Sequence, residues 1–193
     1  MTPKRLSELA EASKAVELAG ALSEGLGRPI QHRDDLVSTY YAFLNLVAAE
    51  LKAPLMVELG SWQGVSAFCM AKGNPAARVV SIDIEPGHLL ADTQLPNIEF
   101  VKADSLPPTY LPGIGLLFVD TIHDGKRPEE EFWAWRDLLG PEAVVLFDDV
   151  TLTQEMRDWW PGFHPAGFEK VEDLPVHGNA GFGALVLTNT GGP

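Results

Sequence analysis

Leu6, Leu9, Val16, Ala19, Leu22 and Leu26 recur at helical spacings among polar residues, which predicts an amphipathic helix over residues 5–26. A second helix is predicted to start at Asp34 or Asp35, both suited to a helix N-terminus. It carries Leu36, Tyr40, Phe43, Leu44, Val47 and Leu51 on one stripe until Pro54 stops it. Beyond Pro54 the pattern changes to short, wholly apolar runs. Leu55–Leu59, Arg78–Ile84, Ile98–Val101, Ile114–Val119 and Ala143–Phe147 read as strands, with helical stretches at Val65–Lys72 and about Pro128–Leu139. Gly60, the Pro86-Gly87 pair and Gly140-Pro141 mark breaks. Strands apolar on both faces that alternate with helices imply a parallel sheet covered on both sides. In the tail, a short helix over Glu155–Trp160 precedes strands at Phe168–Val171 and Phe182–Leu187 with no helix between them, so an antiparallel pair is expected at the sheet's end. The expectation is a single domain over residues 1–193: a doubly wound, mostly parallel seven-stranded α/β sheet. Residues 1–53 form an N-terminal helical cap over the mouth of a core spanning 54–193.

Composition narrows the partners. The 193 residues hold 14 Lys+Arg against 27 Asp+Glu, a formal net charge of −13. Such a charge repels phosphate and argues against nucleic acid or an anionic membrane as a partner. Hydrophobic residues at 46% supply a core, and Cys69, the only cysteine, excludes an internal disulfide or a thiolate metal cluster. No apolar run reaches the roughly 18–20 residues of a membrane span, and the N-terminus lacks a signal-peptide apolar segment. A cytoplasmic location follows as the expectation. Residues 116–160 concentrate the negative charge, with four basic against eleven acidic side chains. Of these, Glu129, Glu130 and Glu131 read as a solvated helix face, whereas Asp120, Asp148 and Asp149 end strands.

The first strand runs into a helix through Glu58-Leu59-Gly60-Ser61-Trp62-Gln63-Gly64-Val65-Ser66. Glycines at such a turn permit close backbone approach, and the N–H groups at the helix start can hold a carboxylate. The G-x-G-x-x-G spacing of a dinucleotide site is absent, which disfavours a nicotinamide-dependent oxidoreductase. An acid beside the turn would repel a pyrophosphate and attract a cationic head group. Asp83 ends the second strand, placed to accept from ribose hydroxyls, and Asp104 follows the third. Together these residues resemble class I S-adenosylmethionine-dependent methyltransferases, over roughly residues 30–190. The resemblance implies a Rossmann-like methyltransferase fold in which Glu58, Gly60 and Ser66 surround the methionine moiety, Asp83 the ribose and Asp104 the adenine, with Gly64 also at the cofactor. Trp62 covers cofactor or substrate, or packs in the core.

The fourth strand ends at Asp120 with His123 three residues on, and the fifth ends 28 residues later in Asp148-Asp149. Parallel neighbours would gather these carboxylates at one rim, where they repel unless a cation neutralises them. An oxygen ligand set of Asp120, Asp148 and Asp149 suits Mg²⁺, or Ca²⁺ or Mn²⁺. The other reading is a solvated turn that only caps strands, with a metal-independent enzyme. The pattern looks like small-molecule O-methyltransferases of the catechol and caffeoyl-CoA type. It also resembles bacterial relatives near the cephalosporin-hydroxylase and macrolide-sugar methyltransferase families, which share strand-Asp-x-x-His and an acidic pair. Departures from the catechol type are Asp149 where that group has Asn, and His123 where it usually has Lys. The resemblance implies methylation of a small hydroxylated acceptor, a catechol, vicinal diol or sugar. His123 is the base or a residue orienting Asp120. Trp159-Trp160 wall the acceptor pocket or pack internally, and the Val176–Gly181 loop is a further candidate contact. A homodimer through the N-terminal helices is the expected assembly, and a cofactor-binding domain without turnover is the non-enzymatic alternative.

Overall fold

A computed structural model describes residues 1–16, 38–85, 95–108, 111–176 and 180–188. The first helix, α1 (Pro3–Ser13), starts at Thr2, whose side chain accepts from the Arg5 N–H, and buries Leu6, Leu9 and Ala10. The rest of the predicted 5–26 helix from residue 17 onward lies outside the described residues, as do Asp34, Asp35 and Leu36. The next helix, α2, is described over Ser38–Leu51, and Lys52 at φ +50° follows it.

Seven strands form one sheet. They are β1 (Leu55–Leu59), β2 (Arg78–Asp83), β3 (Ile98–Lys102), β4 (Ile114–Val119), β5 (Leu139–Asp148), β6 (Phe168–Val171) and β7 (Phe182–Leu187). Their order is β3-β2-β1-β4-β5-β7-β6, parallel through β5, with β7 antiparallel to both β5 and β6, the antiparallel pair that the tail pattern predicts. Helices α3 (Val65–Gly73), α4 (Lys126–Trp135) and α5 (Gln154–Trp159) complete the described elements. Alternate strand residues feed two apolar layers. Met56, Val79, Leu116, Phe118, Val144 and Leu146 pack with α1, α2 and α3 on one face. Val57, Val80, Leu117, Val119, Val145 and Phe147 pack with Phe132, Trp135, Met156 and Trp160 on the other. The period-2 alternation places helices on both faces.

One expectation is corrected. The helix before β5 ends at Trp135, a 3₁₀ turn spans Arg136–Leu138, and β5 begins at Leu139, so Gly140-Pro141 lies inside the strand. The register shifts there: Ile114 pairs with Leu139, but Leu116 pairs with Val144. Pro141 is tolerated because the ladder is interrupted across it. Of the expected cap, the described helices α1 and α2 form a layer on one sheet face, and the Tyr40 end of α2 reaches the strand ends; residues 17–37 lie outside the described residues.

Candidate active site

Strand order reverses between β1 and β4, and ligands in such sheets bind at the carboxyl ends of the strands beside that reversal. A cavity of about 350 Å³ opens there, lined by Gly60, Trp62, Ile82, Asp83, Ile84, Ala103, Asp104, Ser105, Asp120, Thr121, Ile122 and Arg127. Gly60 shows why the first turn needs glycine. Its φ is +92°, and a Cβ on it would lie 1.8 Å from the Asp120 carbonyl oxygen. The turn is clasped on both sides: the Gly60 N–H donates to Ile82 O and the Asp120 N–H to Leu59 O, each at 2.8 Å. Gly64 caps α3 in the left-handed region, φ +71°.

Asp83 lines the cavity and also builds it. Its Oδ2 accepts from the N–H groups of Ser61 (2.8 Å) and Trp62 (2.9 Å), and its Oδ1 from that of Glu85 (2.7 Å). Trp62, Ile84 and Ile122 are large, apolar and exposed at the mouth (58%, 66% and 61%). Of the residues predicted to hold the cofactor, Gly60, Trp62, Asp83 and Asp104 line the cavity. Glu58, Gly64 and Ser66 are not among its walls. Glu58 is wholly buried and accepts from the hydroxyls of Ser66 and Ser81. Burial raises its pKa to about 8; the two hydroxyls oppose the shift, and the charges of Asp120 and Asp83 add to it.

Beside the cavity, β4 and β5 bring the second predicted group together. His123 Nε2 lies 3.6 Å from Asp120 Oδ1 and 3.7 Å from Asp149 Oδ2. Asp149 holds a left-handed conformation, φ +55°. Burial works against a charged His123, but Asp120, Asp149 and Asp124 outweigh it and raise its pKa. Asp148, at the end of β5, is pushed well above the carboxylate range by burial and then by Asp120 and Asp149. Tyr40, absent from the sequence-based site, donates its hydroxyl to Asp120 Oδ2 at 3.2 Å. Its ring lies against Phe118 and Phe182, with centroids at 5.7 and 5.4 Å. A tyrosine within an apolar stripe carries a polar tip that needs a partner, which is the signal that could have found it.

The chemistry of this donor set fits a hard divalent cation, because Asp148 Oδ1 is a buried acceptor with no hydrogen-bond partner beside two further carboxylates. As the side chains stand, no three acidic, imidazole or thiol groups among the described residues converge on one point, since His123 sits between Asp120 and Asp149.

The reading of Glu129–Glu131 as a solvated face holds for the exposed Glu130 and fails at Glu131. Glu131 is wholly buried and accepts from Ser105 Oγ (2.5 Å), Thr121 Oγ1 (2.7 Å) and Arg127 Nε (2.9 Å). Glu129 accepts from the indoles of Trp133 and Trp159, while Glu130 faces Lys126 at 3.5 Å. The Leu106 N–H, and then Arg127, which pairs with Asp104, hold the Asp104 carboxylate below the usual range. Arg127 and Glu131 stand four apart on one helix, an ion-pair spacing legible in the sequence. Trp159 and Trp160 pack with Phe147 and Phe163 in an aromatic cluster and are not among the cavity walls. His177, Gly178 and Asn179 of the Val176–Gly181 loop lie outside the described residues. No described helix is long and apolar enough to cross a membrane.

Residues 57–150 match a family model described as a methyltransferase domain. No curated protein matches significantly. Among solved structures, the chain is similar to the O-methyltransferase TomG from Streptomyces achromogenes, involved in tomaymycin synthesis and solved with SAM. Identity is 21% and TM-score 0.57, covering 95% of this chain and 89% of TomG. It is similar to an O-methyltransferase from Bacillus cereus solved with SAH, at 18% identity and TM-score 0.61 over 95% of this chain and 90% of that one. A methyltransferase from Geobacter sulfurreducens gives 18% identity and TM-score 0.63 over 94% and 88%.

Proposed function

We propose that this chain, whose residues 57–150 match the model of a methyltransferase domain, is an S-adenosylmethionine-dependent O-methyltransferase acting on a small hydroxylated molecule. The observation that carries the reading is the adjacency of two features at one rim. A cavity of about 350 Å³, within the usual range for small-ligand sites, opens at the strand reversal. A histidine set among carboxylates stands beside it. S-adenosylmethionine supplies a methyl group on a sulfonium, which an acceptor oxygen attacks as the carbon–sulfur bond breaks and its electrons return to sulfur.

The chain's residues bind, orient and remove a proton. Asp83 and Asp104 face ribose and base, and Trp62, Ile84 and Ile122 cover the apolar faces of the nucleoside. Glu58, behind the glycine turn, acts through Ser66 and Ser81 on the conformation of that turn. His123, with its Nε2 3.6 Å from Asp120 Oδ1 and 3.7 Å from Asp149 Oδ2, takes the acceptor's proton. Asp120 and Asp149 stabilise the imidazolium formed, and Tyr40 holds Asp120 in place. Alignment of oxygen and methyl carbon is the fold's main contribution.

Asp120, Asp148 and Asp149 are the residues that would hold Mg²⁺, with Ca²⁺ or Mn²⁺ as alternatives. A divalent ion bound there would lower the pKa of a chelating hydroxyl. The position of His123 between Asp120 and Asp149 favours a second reading, in which imidazolium is the counter-charge and no metal is needed. Release of S-adenosylhomocysteine on a panel of catechols, vicinal diols and sugars tests the reaction. Turnover abolished by EDTA and restored by Mg²⁺ supports the metal; turnover indifferent to EDTA supports the imidazolium. Cofactor binding with no product from any acceptor would leave a binding domain.

A further inference from the structure

At the base end of the cavity lies a charged network that methyl transfer itself does not use. Arg127 lines the cavity, and its side chain is 23% exposed. Its Nη2 donates to Asp104 Oδ1 and, at 2.6 Å, to Ser105 Oγ, while its Nε donates to Glu131 Oε1 at 2.9 Å. Glu131 is wholly buried and also accepts from Ser105 and Thr121. Ser105 is pinned in turn, its carbonyl accepting from the Trp135 indole at 2.9 Å. The fork of Arg127 is therefore fixed from below by a group that cannot reach solvent.

Such a pair contributes little to stability compared with apolar packing of the same volume, so its arrangement calls for another use. Asp104 supplies one. Arg127 and the Leu106 N–H (2.9 Å) both engage Oδ1, which leaves Oδ2 as an acceptor on a residue that lines the cavity. A guanidinium stays charged at any working pH, and an ionised carboxylate only accepts. Without Arg127, the Leu106 N–H alone would restrain a side chain that is 54% exposed, and its free oxygen would gain rotational freedom.

We infer that Arg127, anchored by Glu131, is a positioning residue that holds Asp104 as a fixed acceptor and makes the cavity select a 6-amino purine over a 6-oxo purine. The 6-amino group donates to Asp104; a 6-oxo group presents a second acceptor to the same carboxylate. The inference rests on the S-adenosylmethionine reading.

Calorimetry with S-adenosylhomocysteine and S-inosylhomocysteine on the full chain tests it. The wild type is expected to bind the adenosyl ligand about tenfold to a hundredfold more tightly, less than a fully buried polar site achieves because Asp104 is half-exposed. In Arg127→Met the ratio of the two affinities falls towards one, and in Arg127→Lys, which keeps charge without the fork, it is intermediate. A merely structural role would weaken both ligands equally and leave the ratio unchanged in both variants, and that result overturns the inference. Should Arg127→Met fail to fold, Arg127→Lys and Glu131→Gln carry the same comparison, with an unchanged ratio again refuting it. A wild type that binds neither ligand refutes the cofactor reading itself; a wild type that binds both equally refutes only the selectivity.

Discussion

Replacing Glu58 by Gln should make the protein's stability less sensitive to pH. Glu58 is wholly buried, and burial raises its pKa to about 8 despite hydroxyl donors from Ser66 and Ser81. In the unfolded chain the same carboxyl titrates near 4.3. Between these values the folded state holds a proton that the unfolded state has lost. Stability from this group is therefore full below about pH 4 and falls as pH rises through 8. Integrating from pH 5.5 to 9 gives a loss of roughly 3 kcal/mol for the wild type, an order-of-magnitude figure. Gln keeps the shape and neutrality of the protonated form and has no such term. Urea unfolding followed by tryptophan fluorescence at several pH values measures both proteins. The difference in unfolding free energy should favour Glu58→Gln increasingly above pH 6 and level off past 8. Other titrating groups are common to both and cancel. Parallel curves across the range would show that Glu58 ionises normally, and the burial argument would be wrong.

His123→Asn should lower kcat about a hundredfold to ten-thousandfold while S-adenosylhomocysteine affinity, read by calorimetry, stays within about twofold; unchanged turnover removes the base. Gly60→Ala forces a Cβ into a position 1.8 Å from the Asp120 carbonyl oxygen at φ +92°. A destabilisation of at least about 2–4 kcal/mol is expected, and a thermal melt that does not move would refute the close approach. Glu131→Ala strands Arg127, Ser105 and Thr121 and should cost roughly 3–5 kcal/mol in urea unfolding, whereas under about 1 kcal/mol would mean water replaces the carboxylate.

Strand identity was legible because buried parallel strands leave runs such as Leu116–Val119, with no polar position, and Val79–Ile82, with Ser81 alone to confuse them. The antiparallel pair at the sheet's end followed from two late apolar runs with no helical stretch between them. The start of β5 was not legible. Gly140-Pro141 has the local chemistry of a turn, and only the register shift against Ile114, a tertiary feature, lets a strand pass through it. The placement of α2 was likewise beyond pattern: its stripe marks a buried face, but what the Tyr40 end meets depends on where β4 ends.

Acids at strand ends were the legible part of the site, since the period of the sheet carries Asp83, Asp104 and Asp120 to one rim whatever their partners. Their partners were not legible, because Asp83 is engaged by N–H groups of another turn and Asp104 by an arginine 23 residues away. Glu131 is different: the sequence held the signal and the triple glutamate hid it. Consecutive helical residues turn by about 100°, so three in a row sweep some 200° of the surface and cannot all share a solvated face opposite an apolar stripe. That stripe runs through Pro128, Phe132 and Trp135, all buried, and position 131 falls within it at i+3 and i−4. A buried acid there required a cation within reach, and Arg127, one turn earlier on the same helix, is the nearest one the chain supplies.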